Sequence, residues 1–346
     1  MSNTSSKKKI AIFHTGGTFA MNTDEAGTTK LQDNNKFQNL LHSRMEPFEV
    51  KHKEDFELTQ LTIFNMPSVY IGGEELIVLR KAILDNLHDM DGIVITHGTD
   101  TLEETAYFLD ITIPHTIPVV LTGAMRPIKD EGSDAIKNLH GAILTAASDE
   151  AKNMGTMVHM NEEIHAARSV VKTHTTNLSA FRSPEFGKIG KLYANGRIDF
   201  TRKLPPSDVY DIDKLTKNVA LIEIFSGMND TLFASFDAYE QTVGHYPFDG
   251  IVIEGAGLGH LTSNIVPSLV KLEGKGIPIV LASRCLSGSA QPVYGYYGGA
   301  KSLKEEFVKS IIFAGNLNGL KARIKLAVLL EKGLSIREIE EEFDQF

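Results

Sequence analysis

The 346-residue sequence predicts an α/β fold: a large N-terminal, mostly parallel sheet domain with helices on both faces, plus a smaller C-terminal α/β domain. Three observations predict it. Short, near-continuous apolar runs alternate with longer amphipathic stretches, the pattern of parallel strands buried on both faces and joined by helices. The length exceeds what one small core serves, so two domains are expected. The turn signal Asn195-Gly196-Arg197 and the segment Lys203-Leu204-Pro205-Pro206-Ser207-Asp208 interrupt the alternation. Adjacent prolines among polar residues suit a linker over residues 203–216, between domains 1–202 and 217–346.

Lys7-Lys8-Lys9 reads as a solvated tail. Ile10-Ala11-Ile12-Phe13 is the first strand, opening into His14-Thr15-Gly16-Gly17-Thr18. Residues 21–36, rich in Asn, Asp, Thr and Gly, read as a mobile loop that closes over a site as a lid. Further strands follow at Leu61-Thr62-Ile63-Phe64, Gly92-Ile93-Val94-Ile95, Pro118-Val119-Val120-Leu121 and Thr156-Met157-Val158-His159. Residues 73–90, 102–109 and 133–148 carry the intervening helices. Beyond the linker, Val219-Ala220-Leu221-Ile222-Glu223-Ile224, Gly250-Ile251-Val252-Ile253 and Ile277-Pro278-Ile279-Val280-Leu281 read as three more parallel strands. Residues 317–332 form a strong amphipathic helix, and a last helix starts at Ser335 with Glu338 at the capping-box position.

Lys+Arg 35 against Asp+Glu 44 gives a net charge of −9, which argues against a nucleic-acid platform. The single cysteine, Cys285, cannot form an intramolecular disulfide and reads as a small buried residue after a strand. No apolar run approaches the roughly 18 residues that span a bilayer, and Ile10-Ala11-Ile12-Phe13 is too short for a secretory signal. A cytoplasmic location is expected, with no membrane partner.

The chemistry gathers at two strand ends. Thr96-His97-Gly98-Thr99-Asp100-Thr101 follows one apolar run and His14-Thr15-Gly16-Gly17-Thr18 another. In open α/β sheets, ligands bind beyond the carboxyl ends of strands. The paired glycines permit a tight turn and free backbone N–H groups to hold an oxyanion, although alone they are equally a plain turn. A threonine hydroxyl needs a base to become a nucleophile. Asp100 can anchor an ammonium or orient a lysine. Lys172, in Val171-Lys172-Thr173-His174-Thr175-Thr176, is a candidate for that lysine or a solvated side chain. His97 is expected to orient backbone near Thr99. The spacing His159-Met160-Asn161-Glu162-Glu163-Ile164-His165 is not that of a zinc motif, and no metal or cofactor is expected. The loops also lack the spacing of a phosphate-binding loop.

Residues 92–102, with Thr15-Gly16-Gly17-Thr18 and Ala20, resemble the two signatures of the bacterial-type L-asparaginase family, cytoplasmic type I-like members included. Phe19 stands where the family usually has Ile or Val. Similarity continues through Thr122-Gly123-Ala124-Met125-Arg126-Pro127, Lys172-Thr173, Ala194-Asn195-Gly196-Arg197-Ile198 and Leu317-Asn318 with Lys321-Ala322-Arg323. The resemblance implies hydrolysis of L-asparagine to L-aspartate and ammonia through an acyl-threonine intermediate, without a cofactor. It places Thr18 as nucleophile, with Thr99, Asp100 and Lys172 as its catalytic partners. Asp100 and Thr99 would also hold the substrate, Ser68 its α-carboxylate, and backbone at Gly17, Gly98 and Ala124 would line the pocket. It implies a homodimer or homotetramer.

Three positions depart from the family. The lid tyrosine is absent: no tyrosine precedes Tyr70, and Thr28, after Ala26-Gly27, falls near its place. Thr28 substitutes for it, or the tyrosine comes from Tyr70 or from Tyr294, Tyr296 and Tyr297. Val69 occupies a slot where many periplasmic members have glutamine, and His260 one where secreted members often have asparagine. The alternatives are an asparaginase/glutaminase of mixed specificity, an amidotransferase component and an asparagine-binding sensor with weak catalysis.

Overall fold

The computed structural model describes residues 6–23, 28–205 and 207–344. The chain divides into two compact units, residues 1–209 and 210–346. In the first, strands β1 (Lys8–Gly16), β2 (Phe56–Met66), β3 (Gly92–Thr96), β4 (Val119–Thr122), β5 (Thr156–Met160), β6 (Glu163–Ala166), β7 (Gly190–Leu192) and β8 (Ile198–Phe200) form one sheet. Their spatial order is β8-β7-β6-β5-β4-β3-β1-β2. β2, β1, β3, β4 and β5 run parallel; β6, β7 and β8 join antiparallel.

The apolar runs are central because both their faces are covered. All five residues of β3 are buried, as expected of a parallel strand between helical layers. On one face, Ile10, Ile12, Val94, Val120 and Met157 pack into a core with Phe37, Leu41, Met45 and Phe48 of helix α1 (Asn34–Lys51). Leu139, Ala142 and Ile143 of helix α4 (Ala135–Ala147) join them. Ala11, Phe13, Ile93, Ile95 and Leu121 alternate to the opposite face and are fully buried there. Helices α2 (Gly73–Asn86) and α3 (Leu102–Asp110) complete the unit's helical layers. Gly92 lets the sheet approach α4: a Cβ there would lie 2.4 Å from the Ala146 carbonyl oxygen.

Several expectations are corrected. Lys8 and Lys9 are strand residues, not a tail: Lys9 N–H donates to Asp91, and Lys8 Nζ pairs with Asp149 at 2.9 Å. In the stretch 21–36, Met21–Thr23 pairs antiparallel with Thr29–Leu31 and α1 begins at Asn34, capped by Asp33, while residues 24–27 lie outside the described residues. The sequence reading named neither α1 nor β6, β7 and β8. Asn195-Gly196-Arg197 turns the hairpin between β7 and β8, with Gly196 at φ +85°.

The second unit holds four parallel strands in sequential order: β9 (Val219–Glu223), β10 (Gly250–Gly255), β11 (Ile279–Ser283) and β12 (Ile312–Phe313). β12 was not read from the sequence. Helices α5 (Thr231–Val243), α6 (Val266–Gly274), α7 (Gly319–Glu331) and α8 (Ile336–Asp344) accompany them. Ser335 and Glu338 close the expected capping box. Cys285, just past β11, is exposed rather than buried, because the chain leaves the sheet there into an exposed turn. No helix among the described residues is long and apolar enough to cross a membrane.

Candidate active site

Two turns at the carboxyl ends of the neighbouring strands β1 and β3 meet backbone to backbone. Gly16 and Gly17 adopt φ +100° and +72°, the left-handed region that glycine enters without penalty. A Cβ on Gly17 would lie 2.2 Å from the Gly98 Cα, and one on Gly98 would lie 2.7 Å from the Ser68 Cβ. Three loops therefore converge on one point, which sets Thr18, Thr99 and Ser68 around it, since Thr18 follows Gly17 and Thr99 follows Gly98. The Gly17 N–H donates to Met66 at the end of β2, and Thr101 Oγ1 donates to the Ser68 carbonyl at 2.8 Å. Thr15 Oγ1 donates to the Thr96 carbonyl at 3.0 Å, tying the two strand ends together.

Beneath the turns lie two buried histidines. His97 Nδ1 reaches the Gly98 carbonyl at 2.8 Å. A carbonyl only accepts, so Nδ1 carries the proton and Nε2 accepts from Thr105 Oγ1 at 3.0 Å. Burial pushes its pKa down to about 4, so the ring stays neutral and holds the turn, as expected of it. His14 bridges Thr96 Oγ1 and Gln60 and is likewise lowered to about 4 by burial.

Lys172 arrives from a distant part of the chain. It sits in a two-residue strand, Val171–Lys172, paired antiparallel with Phe181–Arg182. Its Nζ donates to Thr99 Oγ1 at 2.9 Å and to Asp100 Oδ1 at 2.6 Å. Its backbone N–H donates to Glu103 Oε1 at 3.1 Å. The Lys172 side chain is 13% exposed and that of Asp100 70%. One end of this chain of groups is thus enclosed and the other faces solvent. The solvated alternative for Lys172 is set aside by these bonds.

Thr18 opens a single helical turn, Thr18–Ala20, and is half-buried. Thr99 and Ser68 are each 4% exposed. Ala124 is fully buried in the core. Asp134 fixes that turn by accepting from the N–H groups of Met125 and Arg126. Gln32 clasps the base of the paired strands Met21–Thr23 and Thr29–Leu31: its N–H donates to the Ala20 carbonyl, its side chain to Met21, and its carbonyl accepts from Asn65 Nδ2. Thr28 stands exposed where the second of these strands begins, while Ala26 and Gly27 lie outside the described residues.

Among the described residues, no tyrosine bonds the Thr18 hydroxyl; Tyr70 is 69% exposed. Tyr294 and Tyr296 cluster with His260 in the second unit. Among the described residues no three His, Cys, Asp or Glu side chains converge as a metal centre. Sequence reasoning missed Glu103 and Thr105, although both follow directly on the run 92–102 that drew attention to Thr99.

Comparison with known proteins fits this layout. The family model described as "Asparaginase, N-terminal" matches residues 9–206, and the "Glutaminase/Asparaginase C-terminal domain" matches 218–343. An L-asparaginase of Bacillus licheniformis is 33% identical over 93% of this chain and 95% of its own. L-asparaginase 2 of Escherichia coli strain K12 is 31% identical over 97% of this chain and 93% of its own. The crystal structure of a probable cytoplasmic L-asparaginase from Campylobacter jejuni superimposes with a TM-score of 0.81 at 34% identity, over 97% of this chain and 99% of that one.

Proposed function

The chain belongs to the asparaginase family, and from that premise we propose how it hydrolyses L-asparagine to L-aspartate and ammonia: Thr18 attacks, and Thr99, Asp100 and Lys172 manage the proton and the substrate. The observation that carries this reading is the reach of Lys172 Nζ to both Thr99 Oγ1 and Asp100 Oδ1 across more than 70 residues of chain. A nucleophile, a proton relay and an orienting carboxylate are the parts such a reaction needs.

Thr18 takes the nucleophile's part because Thr99 is enclosed and its oxygen already accepts from Lys172, whereas Thr18 is half-exposed. The Thr18 oxygen adds to the side-chain amide carbon, and its proton passes into the Thr99–Lys172 chain. Backbone N–H groups of the glycine turns stabilise the oxyanion that forms. Its collapse breaks the C–N bond; the nitrogen takes up a proton and leaves as ammonia, and the acyl group remains as an ester on Thr18. Water then adds to the ester carbon and returns its proton through the same chain. The C–O bond breaks, releasing aspartate and restoring the threonine. Asp100 pairs with the substrate ammonium, and the Ser68 hydroxyl, beside Gly98, receives the α-carboxylate. Thr28, at the start of the strand Thr29–Leu31, covers the site. A cytoplasmic location and a homodimer or homotetramer belong to the same proposal.

The test is ammonia release measured side by side with L-asparagine, L-glutamine and D-asparagine. L-asparagine is expected to turn over fastest. Saturable asparagine binding by calorimetry with no ammonia released would replace the enzyme by a sensor, the reading that the absent lid tyrosine favours.

A further inference from the structure

Glu103 is a carboxylate where the packing would ordinarily favour an apolar side chain. It sits in the first turn of α3 and is 4% exposed. Burying a carboxylate costs several kcal/mol unless hydrogen bonds compensate. Its Oε1 accepts the backbone N–H of Lys172 at 3.1 Å, across 69 residues of chain. The helix N-terminus beside it favours negative charge there.

The strand that carries Lys172 is short, and beyond its partner strand neighbouring bonds run from the Val170 N–H to the Ala166 carbonyl and from Thr173 to the Ala180 carbonyl. It is two residues long, with one antiparallel partner strand. Helix α3, by contrast, follows Thr99-Asp100-Thr101 without a break. Glu103, Tyr107 and Asp110 recur on one face of α3 at helical spacing. Asp110 Oδ1 accepts the Thr156 N–H at 2.7 Å, and the Arg168 charge acts on both Tyr107 and Asp110. The segment ending at Lys172 thus feels the α3 groups electrostatically at Arg168 and is bonded at Lys172 to the helix that starts from the catalytic turn. A four-carbon lysine stem has considerable rotamer freedom, so Nζ finds Thr99 and Asp100 reproducibly only if its backbone is anchored.

We propose that Glu103 is a positioning residue for the hydrolysis: through its bond to the Lys172 backbone it sets the lysine amine against Thr99 and Asp100. This rests on Lys172 acting in the reaction as proposed above.

The experiment is a double-mutant cycle on the full chain, read as kcat and KM for L-asparagine with thermal melts alongside. Glu103→Ala is expected to lower kcat about 10- to 100-fold, the effect of an ångström-scale misplacement, with KM changed less. Glu103→Gln keeps an acceptor oxygen and is expected to recover most of that loss. In a Lys172→Met background the same Glu103→Ala change is expected to cost less than about twofold, since there is no amine left to position. An undiminished loss in the Lys172→Met background, or a Glu103→Gln variant as slow as Glu103→Ala, overturns the proposal. Parental activity in Lys172→Met alone overturns the role of Lys172 itself, an outcome the cycle separates from a failure of Glu103.

Discussion

Replacing Gly17 by alanine tests the convergence of the two turns on which the site depends. The added Cβ would lie 2.2 Å from the Gly98 Cα and 2.5 Å from its nitrogen, where ordinary contact begins at 3.4 Å. Both partners are backbone, so no side chain can swing aside. The turns must separate by more than 1 Å, or Gly17 must abandon φ +72°. Holding a non-glycine residue at φ +72° and ψ −166° costs about 1–3 kcal/mol by itself. A displacement of that size between reacting groups costs about a hundredfold or more in rate. Gly196→Ala is the control: its φ is +85°, yet nothing lies within 4 Å of the added carbon. It too places a non-glycine residue at positive φ, a strain expected to lower Tm by about 2–4 °C for each kcal/mol, with unchanged turnover. The assay is ammonia release under saturating L-asparagine, paired with melting curves for both variants. Parental kcat in Gly17→Ala would refute the claim that this close approach builds the site. An equal loss of kcat in Gly196→Ala would show that backbone strain alone, not the contact, lowers activity.

Thr18→Ala and Thr99→Ala are each expected to lower turnover about a thousandfold or more; near-normal ammonia release from both would remove the proposed centre. Lys172→Met should lower kcat by about two to four orders of magnitude and alter its pH profile, and a profile identical to the parent's would take the lysine out of proton transfer. Stability should also depend on pH. Burial holds His14, His97 and His165 at about 4 and His159 at about 3. The unfolded chain therefore binds more protons below about 6.5, and each histidine removes up to about 1.4 kcal/mol per pH unit as the pH falls from there toward 4. Asp110 and Glu254, raised by burial, act in the opposite sense, but His140 and His260 are lowered by burial as well, so two carboxyls stand against six imidazoles. Urea midpoints should fall between about pH 7.5 and about pH 5; a constant midpoint would contradict the neutral, buried imidazoles.

The parallel core was legible because its strands are buried on both faces, so Ile93-Val94-Ile95 and Val119-Val120-Leu121 announce themselves without any partner. β6, β7 and β8 were not. Glu163-Ile164-His165-Ala166, Gly190-Lys191-Leu192 and Ile198-Asp199-Phe200 are too short and too polar for a period to emerge, and they exist because neighbouring strands offer them hydrogen bonds. Helix α1 left a trace, the stripe Phe37, Leu41, Met45 and Phe48 with Asp33 as cap. Its polar outer face and Pro47 hid that trace, and beyond the expected loop over residues 21–36 no element was read there. Thr18 and Thr99 stood out as hydroxyls at strand ends, whereas Lys172 on spacing alone read sooner as a solvated side chain than as a reactive one.

What the sequence by itself determined is local and chemical: which runs are buried strands, that glycines and threonines crowd two strand ends, and which family these motifs resemble. The tertiary structure alone decided which distant groups touch. It brought Gly17 against Gly98, Lys172 Nζ to Thr99 and Asp100, and the Lys172 backbone to Glu103. The physical reason is that hydrophobic burial leaves a period in the chain, while a hydrogen bond across 69 residues leaves none. It is set by sheet order, and sheet order places the ends of β1 and β3 side by side with the helix that starts beneath them.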